Sequence, residues 1–153
     1  MGTRSTVKFV DEKEKVIMSV YQQYDGYLEG VGAQVALTLK KWTVEGVTET
    51  HYNEYLKKEV TNTNKANGIN DLALLYVMDN KKTAYNMYVG SPEDKEEFNY
   101  EVEYDRELGY CVNVYEEGFT VVNDDYETYD KLIFTGTAEE FIALIESKVG
   151  ELK

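Results

Sequence analysis

Alternating apolar and polar residues predict several β-strands, the first two of which form a hairpin. The run TRSTVKFV alternates, the charged run DEKEK is typical of a turn, and VIMSVYQQ follows as the returning strand. Further along, FNYEVEYD alternates strictly and places Asn99, Glu101 and Glu103 on one face. That pattern is typical of an antiparallel strand with one face in water. Further strands are predicted at TAYNMYVG, YCVNVYEEG and KLIFTG.

A longer apolar period predicts helices in the other segments. In AQVALTLKKW, apolar residues at Val35, Leu39 and Trp42 share one helix face. The run INDLALLYVMDN is rich in good helix formers, and we expect Asn70 or Asp71 to cap it. A weaker pattern in ETHYNEYLKKEV predicts a short helix.

The last helix has the clearest boundaries. Thr137 and Glu140 have the T-x-x-E spacing of a capping box, and Gly150 is placed to end the helix. The order of all these elements predicts an α+β fold, with an antiparallel sheet and helices packed mainly on one face. The length of 153 residues, the single proline and the lack of internal repeats predict one domain over residues 1–153.

A net charge of −13 limits the classes of partner. Long nucleic acid and anionic membranes bind clustered lysine and arginine, so we expect neither as a partner. A small anionic ligand remains compatible, because a few local donors can hold it. No apolar run approaches a membrane span and the N-terminus lacks the apolar core of a signal peptide, so we expect a cytoplasmic protein.

Residues suited to catalysis or metal binding are few. Cys111 and His51 are the only cysteine and histidine, which is too few for a usual zinc site. We interpret Cys111 as a buried thiol and His51 as a surface residue. The acidic run NDDYETYD lacks the glycine and final glutamate of an EF-hand loop, and we interpret it as a solvated loop. We therefore predict no catalytic residue, no metal and no cofactor, and we do not expect an enzyme.

The glycine-rich aromatic segment YDGYLEGVG, which precedes the first helix, has two interpretations. It matches neither the dinucleotide-binding nor the Walker glycine pattern. Its glycines and the free amides of the next helical turn suit a small anionic ligand, and its tyrosines can stack on bases. Alternatively, the glycines serve only a tight connection from strand to helix.

Two motifs together resemble one family. They are GTRS (Gly2 to Ser5) and YQQYDGYLEGVG (Tyr21 to Gly32), which cover roughly the first quarter of the chain. They are similar to small proteins of phages and bacteria that open with GTRS and continue to Y-x-Q-Y-D-G-Y-x-x-G-x-G. Many relatives read YDGYPEGHG, whereas Leu28 and Val31 stand here. No role for a loop histidine is therefore carried over.

The resemblance implies a function in viral immune evasion. The family resembles the viral anti-CBASS sponge proteins, which sequester cyclic dinucleotide second messengers such as 3′3′-cyclic GMP–AMP without cleaving them. Such sponges form homo-oligomers. By this resemblance we expect a cyclic dinucleotide ligand, a homo-oligomer, and action in the host bacterial cytoplasm during infection.

The expected ligand-binding residues come from both motifs. Arg4 would hold a phosphate in bidentate fashion, while Thr3 and Ser5 would donate to phosphate or sugar. Asp25 would either accept from a guanine edge or fix the loop through an Asx-type turn. The set is completed by stacking tyrosines and by glycines whose neighbouring amides would meet a second phosphate: Tyr21, Tyr24, Tyr27, Gly30 and Gly32.

Two other functions stay open on the sequence alone. The first is an acidic inhibitor that binds a host protein, with the charge carried by strand residues such as Glu101 and Glu103. The second is a phosphodiesterase or other hydrolase that uses acidic residues and a metal.

Overall fold

The computed structural model describes residues 2–153 and has the α+β fold that the sequence predicts. The strands are β1 (Ser5–Val10), β2 (Val16–Gln22), β3 (Val47–Asn53), β4 (Lys58–Asn64), β5 (Met87–Val89), β6 (Phe98–Asp105), β7 (Gly109–Val122) and β8 (Asp125–Thr137). The α-helices are α1 (Ala33–Leu39), α2 (Gly68–Asn80) and α3 (Ala138–Val149). Two π-helical turns, Leu28–Gly32 and Lys40–Glu45, extend α1 at either end.

The centre of the fold is a six-stranded sheet with the strand order β5-β2-β1-β6-β7-β8. The predicted β1–β2 hairpin is confirmed, with Ser5 opposite Gln22. The pairings are antiparallel except between β1 and β6, which run parallel with Ser5 opposite Phe98. After β2 the chain forms α1, the β3–β4 hairpin, α2 and β5, and only then does β6 pair with β1. The N-terminal strand therefore lies in the centre of the sheet.

The three helices cover one face of the sheet. On β1, Val7 and Phe9 are buried towards the helices, and the Phe9 ring lies 5.6 Å from that of Tyr76 on α2. Helix α3 packs against β7 and β8, and Phe141 contacts Phe134 and Tyr100 through their rings. Residues that alternate with these, such as Thr6 and Lys8, point to the opposite face, which we call the open face.

The capping box of α3 is confirmed. The Thr137 hydroxyl accepts from the Glu140 amide at 3.2 Å, and the Glu140 carboxylate accepts from the Thr137 amide at 3.1 Å. Gly150 follows the helix with a φ of 88°, a conformation that favours glycine. Among the helices of residues 2–153, none has both the length and the apolar character needed to cross a membrane.

The prediction of a short helix at ETHYNEYLKKEV is wrong, because β3 and β4 form a separate two-stranded hairpin there. β-branched residues face each other across the pair, and the hydroxyls of Thr50 and Thr61 lie 2.8 Å apart. Asn53 closes the turn by accepting from the amides of Tyr55 and Leu56. Of the three apolar residues whose spacing predicted a helix, Tyr55 and Leu56 lie on this exposed turn and Tyr52 lies on β3.

The helix predicted at INDLALLYVMDN is confirmed as α2, but its N-cap is not Asn70 or Asp71. The cap is Asn67, and the helix begins at Gly68, whose φ is 82°. Asp71 instead lies in the first turn, and its carboxylate accepts from the Asn67 amide at 2.8 Å. The acidic side chain thus stabilises the helix start from inside the first turn.

The interpretation of NDDYETYD as a loop is wrong for most of its length. Only Asn123 and Asp124 form a turn, with φ values of 51° and 68°. Strand β8 begins at Asp125 and pairs with β7 along its whole length. Positive φ at both central residues is the geometry of the tight hairpin turns that asparagine and aspartate favour. The ends of β7 and β8 on either side of this turn, residues 116–130, form a two-stranded arm.

Candidate functional site

The hairpin brings the two sequence motifs to one end of the sheet. Because Ser5 lies opposite Gln22 and Thr6 opposite Tyr21, the residues before β1 run beside those after β2. The amide of Gly26 donates to the carbonyl of Thr3 at 2.9 Å, which ties the GTRS and YDGY segments together. The proximity expected from the predicted hairpin is therefore present in the fold.

Gly26 allows the GTRS and YDGY segments to lie close together. A Cβ at Gly26 would lie 2.8 Å from the Ser5 Cβ and 2.9 Å from the Arg4 carbonyl carbon, which is closer than real Cβ contacts come. The hydroxyl of the buried Tyr100 donates to the Gly26 carbonyl at 2.7 Å. Burial raises the pKa of the Tyr100 hydroxyl, which keeps it a donor. Gly26 is not among the residues predicted from the sequence, although its place in YDGY was the available signal.

A shallow concave surface of about 260 Å³ opens where the motifs meet. We call it the motif cavity, and it is lined by Gly2, Arg4, Tyr21, Gln23 and Tyr24. Three of the expected ligand residues, Arg4, Tyr21 and Tyr24, therefore lie together. Gly2 and Gln23 line it as well and were not predicted to take part. Arg4, like Thr6 and Lys8 further along the strand, belongs to the open face.

Arg4 keeps its guanidinium available at this cavity. Its side chain is 50% exposed, and Nε lies 3.8 Å from a carboxylate oxygen of Glu96. A half-exposed ion pair of that length contributes little stability. Glu96 itself is held through its backbone, because the Asn99 side chain accepts from its amide and donates to its carbonyl. A ligand anion can thus replace the Glu96 carboxylate without disturbing the loop.

The tyrosines of the motif cavity differ in what supports them. Tyr24 is 50% exposed, and a Cβ at Gly2 would lie 2.6 Å from its ring, so glycine is needed beside it. Tyr21 is half-buried and packs against Tyr88 of β5, with ring centroids 6.3 Å apart. The ammonium of Lys81 lies 5.7 Å from the centroid of the Tyr88 ring. Two aromatic side chains, Tyr21 and Tyr24, therefore line the cavity, and Tyr88 supports the first of them.

Thr3 and Ser5 lie apart from Arg4. Thr3 is half-buried and contributes its carbonyl to the bond with Gly26. Ser5 is fully buried, and its hydroxyl has no hydrogen-bond partner among residues 2–153. Because successive strand residues point to opposite faces, Ser5 faces the helices and Arg4 the open face. The structure therefore does not place the Ser5 hydroxyl at the motif cavity.

Asp25 and Tyr27 form a local brace in the glycine-rich segment. Asp25 has a φ of 56°, and its carbonyl accepts from the Val31 amide at 2.7 Å. The Tyr27 hydroxyl donates to the Asp25 carboxylate at 3.1 Å, and this bond raises the pKa of Tyr27. Asp25 thus fixes the loop through its carbonyl and the Tyr27 hydroxyl, and not through the Asx-type turn that the sequence predicted. Neither residue lines the motif cavity.

Gly30 and Gly32 lie inside the π-helical turn. Both of their amides donate to the carbonyl of Tyr27, at 3.0 and 3.3 Å. A Cβ at Gly30 would collide with the Asp25 carbonyl, and one at Gly32 would crowd Ile145 and the Tyr100 hydroxyl. These contacts give both glycines a packing role, and a phosphate would have to displace existing hydrogen bonds to reach the amides.

The residues first considered for catalysis lie elsewhere. His51 is exposed on β3, which belongs to the separate hairpin. Cys111 is 8% exposed, and burial raises the pKa of its thiol, the opposite of what activates a nucleophile. Within residues 2–153, no group of three or more histidine, cysteine, aspartate or glutamate side chains is arranged to hold a metal ion.

Comparison of the chain with protein families, curated proteins and solved structures gives no match.

Proposed function

We propose that the protein binds a cyclic dinucleotide, such as 3′3′-cyclic GMP–AMP, at the motif cavity and sequesters it without cleavage. In an infected bacterial cytoplasm this would block CBASS anti-phage signalling. The observation that carries the proposal is that Arg4, Tyr21 and Tyr24, which lie in two separate motifs, border one cavity. The resemblance of the same motifs to those of the sponge family supports the choice of ligand.

The chemistry of the cavity suits the two kinds of group in such a ligand. Arg4 offers a planar fork of donors for a phosphate, and its weak partner Glu96 is easily replaced. Tyr24 offers an exposed ring on which a purine can stack, worth about 1–3 kcal/mol per base. Tyr21, backed by Tyr88, offers a second and more rigid ring.

We further propose that a second copy of the chain completes the site. The motif cavity of about 260 Å³ is smaller than a typical ligand site of roughly 300–1,000 Å³. Strand β5, which carries Tyr88, is the outermost strand on this side of the sheet, and Val89 on it is 84% exposed. An exposed edge strand beside an incomplete cavity is a suitable place for another subunit to pack.

Calorimetry against a panel of cyclic dinucleotides tests the proposal. The wild-type protein is expected to bind at least one of them with micromolar or tighter affinity. Arg4→Ala should abolish binding without unfolding the protein. Arg106→Ala is the matched control, because Arg106 is exposed and pairs with Glu12 away from the motif cavity. Absence of binding across the panel, or equal binding by the Arg4 and Arg106 variants, would refute the proposal.

A second candidate function, binding of a basic protein, is favoured by the β7–β8 arm. The chain has six acidic residues and no lysine or arginine from Glu116 to Asp130. The pairing of Val121 with Tyr126 places both on one face with Phe119, and all three are at least 64% exposed. A pull-down that recovers a basic host protein with wild type and Arg4→Ala, but not with Phe119→Ser, would select this function.

A further inference from the structure

A second cavity lies on the open face of the sheet, where Lys8 is the most buried charged group. Its volume is about 260 Å³, and we call it the Lys8 cavity. The lining residues come from the central strands, the loop before β6 and the base of the arm: Lys8, Lys95, Asn99, Glu101, Tyr115 and Asp130. None of them lines the motif cavity.

The side chain of Lys8 is largely buried, and its ammonium reaches the Lys8 cavity. It is 7% exposed, and its ammonium makes no hydrogen bond or close ion pair with any other residue of 2–153. Lysine is almost never buried unless it is paired, because leaving water costs an ammonium several kcal/mol. Burial lowers the pKa of Lys8, and attraction to the Glu101 carboxylate offsets only part of that effect. The side chain reaches the cavity, so a ligand group can supply the missing acceptor.

Glu101 is the corresponding unpaired acceptor. It lies directly opposite Lys8 in the parallel β1–β6 pair, so both side chains are on the open face. Nevertheless the two charged groups are too far apart to form an ion pair, and Glu101 accepts no hydrogen bond within the described residues. Burial raises the pKa of Glu101, and attraction to the Lys8 ammonium offsets only part of that rise.

Three of the other lining residues, Lys95, Asn99 and Asp130, already have hydrogen-bond partners. The Lys95 ammonium bonds the Asp130 carboxylate at 2.6 Å, and the Asn99 side chain accepts from Thr6 and bonds Glu96. Deeper in the sheet, the hydroxyl of Ser19, directly opposite Lys8 on β2, is buried without a partner. The cavity therefore holds one free cation and one free anion among the charged side chains that line it.

We propose that the Lys8 cavity binds a small zwitterion of the α-amino acid class, with the ligand carboxylate on Lys8 and the ligand ammonium on Glu101. A simple anion would meet the carboxylates of Glu101 and Asp130. A simple cation would meet the ammonium groups of Lys8 and Lys95. A molecule with both charges a few ångströms apart satisfies both free groups at once, and buried charges are tolerated when they are paired. This site is independent of the proposed cyclic dinucleotide function.

Titration of the wild-type protein with a panel of free L-amino acids tests the proposal, with calorimetry as the readout. We expect at least one amino acid to bind, and acetate and methylamine, each of which carries only one of the charges, to bind at least tenfold more weakly. Lys8→Met and Glu101→Gln should each reduce amino acid affinity at least tenfold. Lys15→Met, at an exposed lysine of the same hairpin, should leave it unchanged.

Three outcomes would overturn the proposal. The first is that no amino acid binds. The second is that acetate binds as well as the amino acids, which would make the cavity a simple anion site. The third is that either Lys8→Met or Glu101→Gln, shown to be folded by circular dichroism, keeps wild-type affinity. The Arg4→Ala variant should bind amino acids normally, which separates failure of this site from failure of the motif cavity.

Discussion

The amide of Gly26 donates to the carbonyl oxygen of Thr3 at 2.9 Å, and this bond joins the two motifs on which the proposed function rests. It depends on a glycine, because Ser5 and the Arg4 backbone leave no room for a Cβ. Tyr100, from the centre of the sheet, bonds the carbonyl of the same glycine. The shape of the motif cavity is therefore set by packing beneath it.

Gly26→Ala is expected to destabilise the protein and weaken ligand binding together. The new Cβ must displace the Ser5 side chain or the Arg4 backbone, which typically costs about 1–3 kcal/mol. Urea denaturation measures the loss of stability, and calorimetry with the cyclic dinucleotide measures binding. Wild-type stability of Gly26→Ala would contradict this expectation, because it would show that the Ser5 side chain or the Arg4 backbone moves aside at little cost.

Glu96→Gln is expected to increase affinity for a cyclic dinucleotide several-fold. The substitution removes the carboxylate 3.8 Å from Arg4, which competes with the ligand phosphate, and keeps the backbone bonds to Asn99. Calorimetry on the variant beside wild type checks this. Glu93→Gln, in the same loop and exposed, serves as the control for a change in net charge. Unchanged or weaker binding by Glu96→Gln alone would argue against a phosphate at Arg4.

Thr137→Ala is expected to lower stability by about 1 kcal/mol through loss of the helix cap. Both hydrogen bonds of the capping box lie at the start of α3, away from the motif cavity. Ligand affinity should therefore stay at the wild-type value while the urea midpoint falls. A parallel loss of affinity would indicate that binding follows global stability rather than the local geometry of the cavity.

Lys8→Met is expected to stabilise the free protein, by about 1 kcal/mol or more. The change removes an ammonium that burial disfavours and keeps an apolar side chain of similar length. The exposed Lys15→Met should shift the free energy of unfolding by less than about 0.5 kcal/mol. If Lys8→Met lowers the urea midpoint instead, attraction between Lys8 and Glu101 outweighs the cost of burying the ammonium.

Stability is expected to fall as the pH rises above about 10, and Tyr100 should account for part of that fall. Burial raises its pKa above the unfolded value of 10.0, so the neutral hydroxyl stabilises the fold below pH 10.0. Above that pH the unfolded chain loses the proton first, and the contribution is progressively lost.

Tyr100→Phe removes this titration, at a cost of about 1 kcal/mol near neutral pH for the bond to Gly26. The difference in unfolding free energy between wild type and variant should therefore shrink as the pH passes 10.0. Urea denaturation of both proteins at pH values below and above 10.0 measures this difference. A constant difference would show that Tyr100 titrates normally.

Sequence patterns predict those elements of the fold whose structure depends on residues close together in the chain. The β1–β2 hairpin, the α3 capping box and the strict alternation of β6 all depend on neighbours close in sequence. The β3–β4 hairpin was not predicted, because a weak apolar spacing favoured a helix and was given more weight than the threonine-rich composition of the strands. The parallel pairing of Ser5 with Phe98 was unpredictable, since it joins residues far apart in the chain.

The candidate site likewise has one part that the sequence predicts and another part that it does not. The approach of Arg4 to the tyrosine-rich segment follows from the hairpin, which the sequence predicts. Glu96 and Tyr88 belong to the second half of the chain, and no local pattern places them beside Arg4 and Tyr21. The burial of Ser5 and the internal bonding of Gly30 and Gly32 depend on how the core packs, which motif matching does not reveal.

Recovery of bound nucleotide tests the central claim most directly. The protein is incubated with a mixture of cyclic dinucleotides, separated from free ligand and denatured, and the released nucleotide is identified by chromatography. We predict that wild type and Arg106→Ala release one intact cyclic dinucleotide and that Arg4→Ala releases none. Release of a linear product, or equal recovery from Arg4→Ala, would contradict sequestration at the motif cavity.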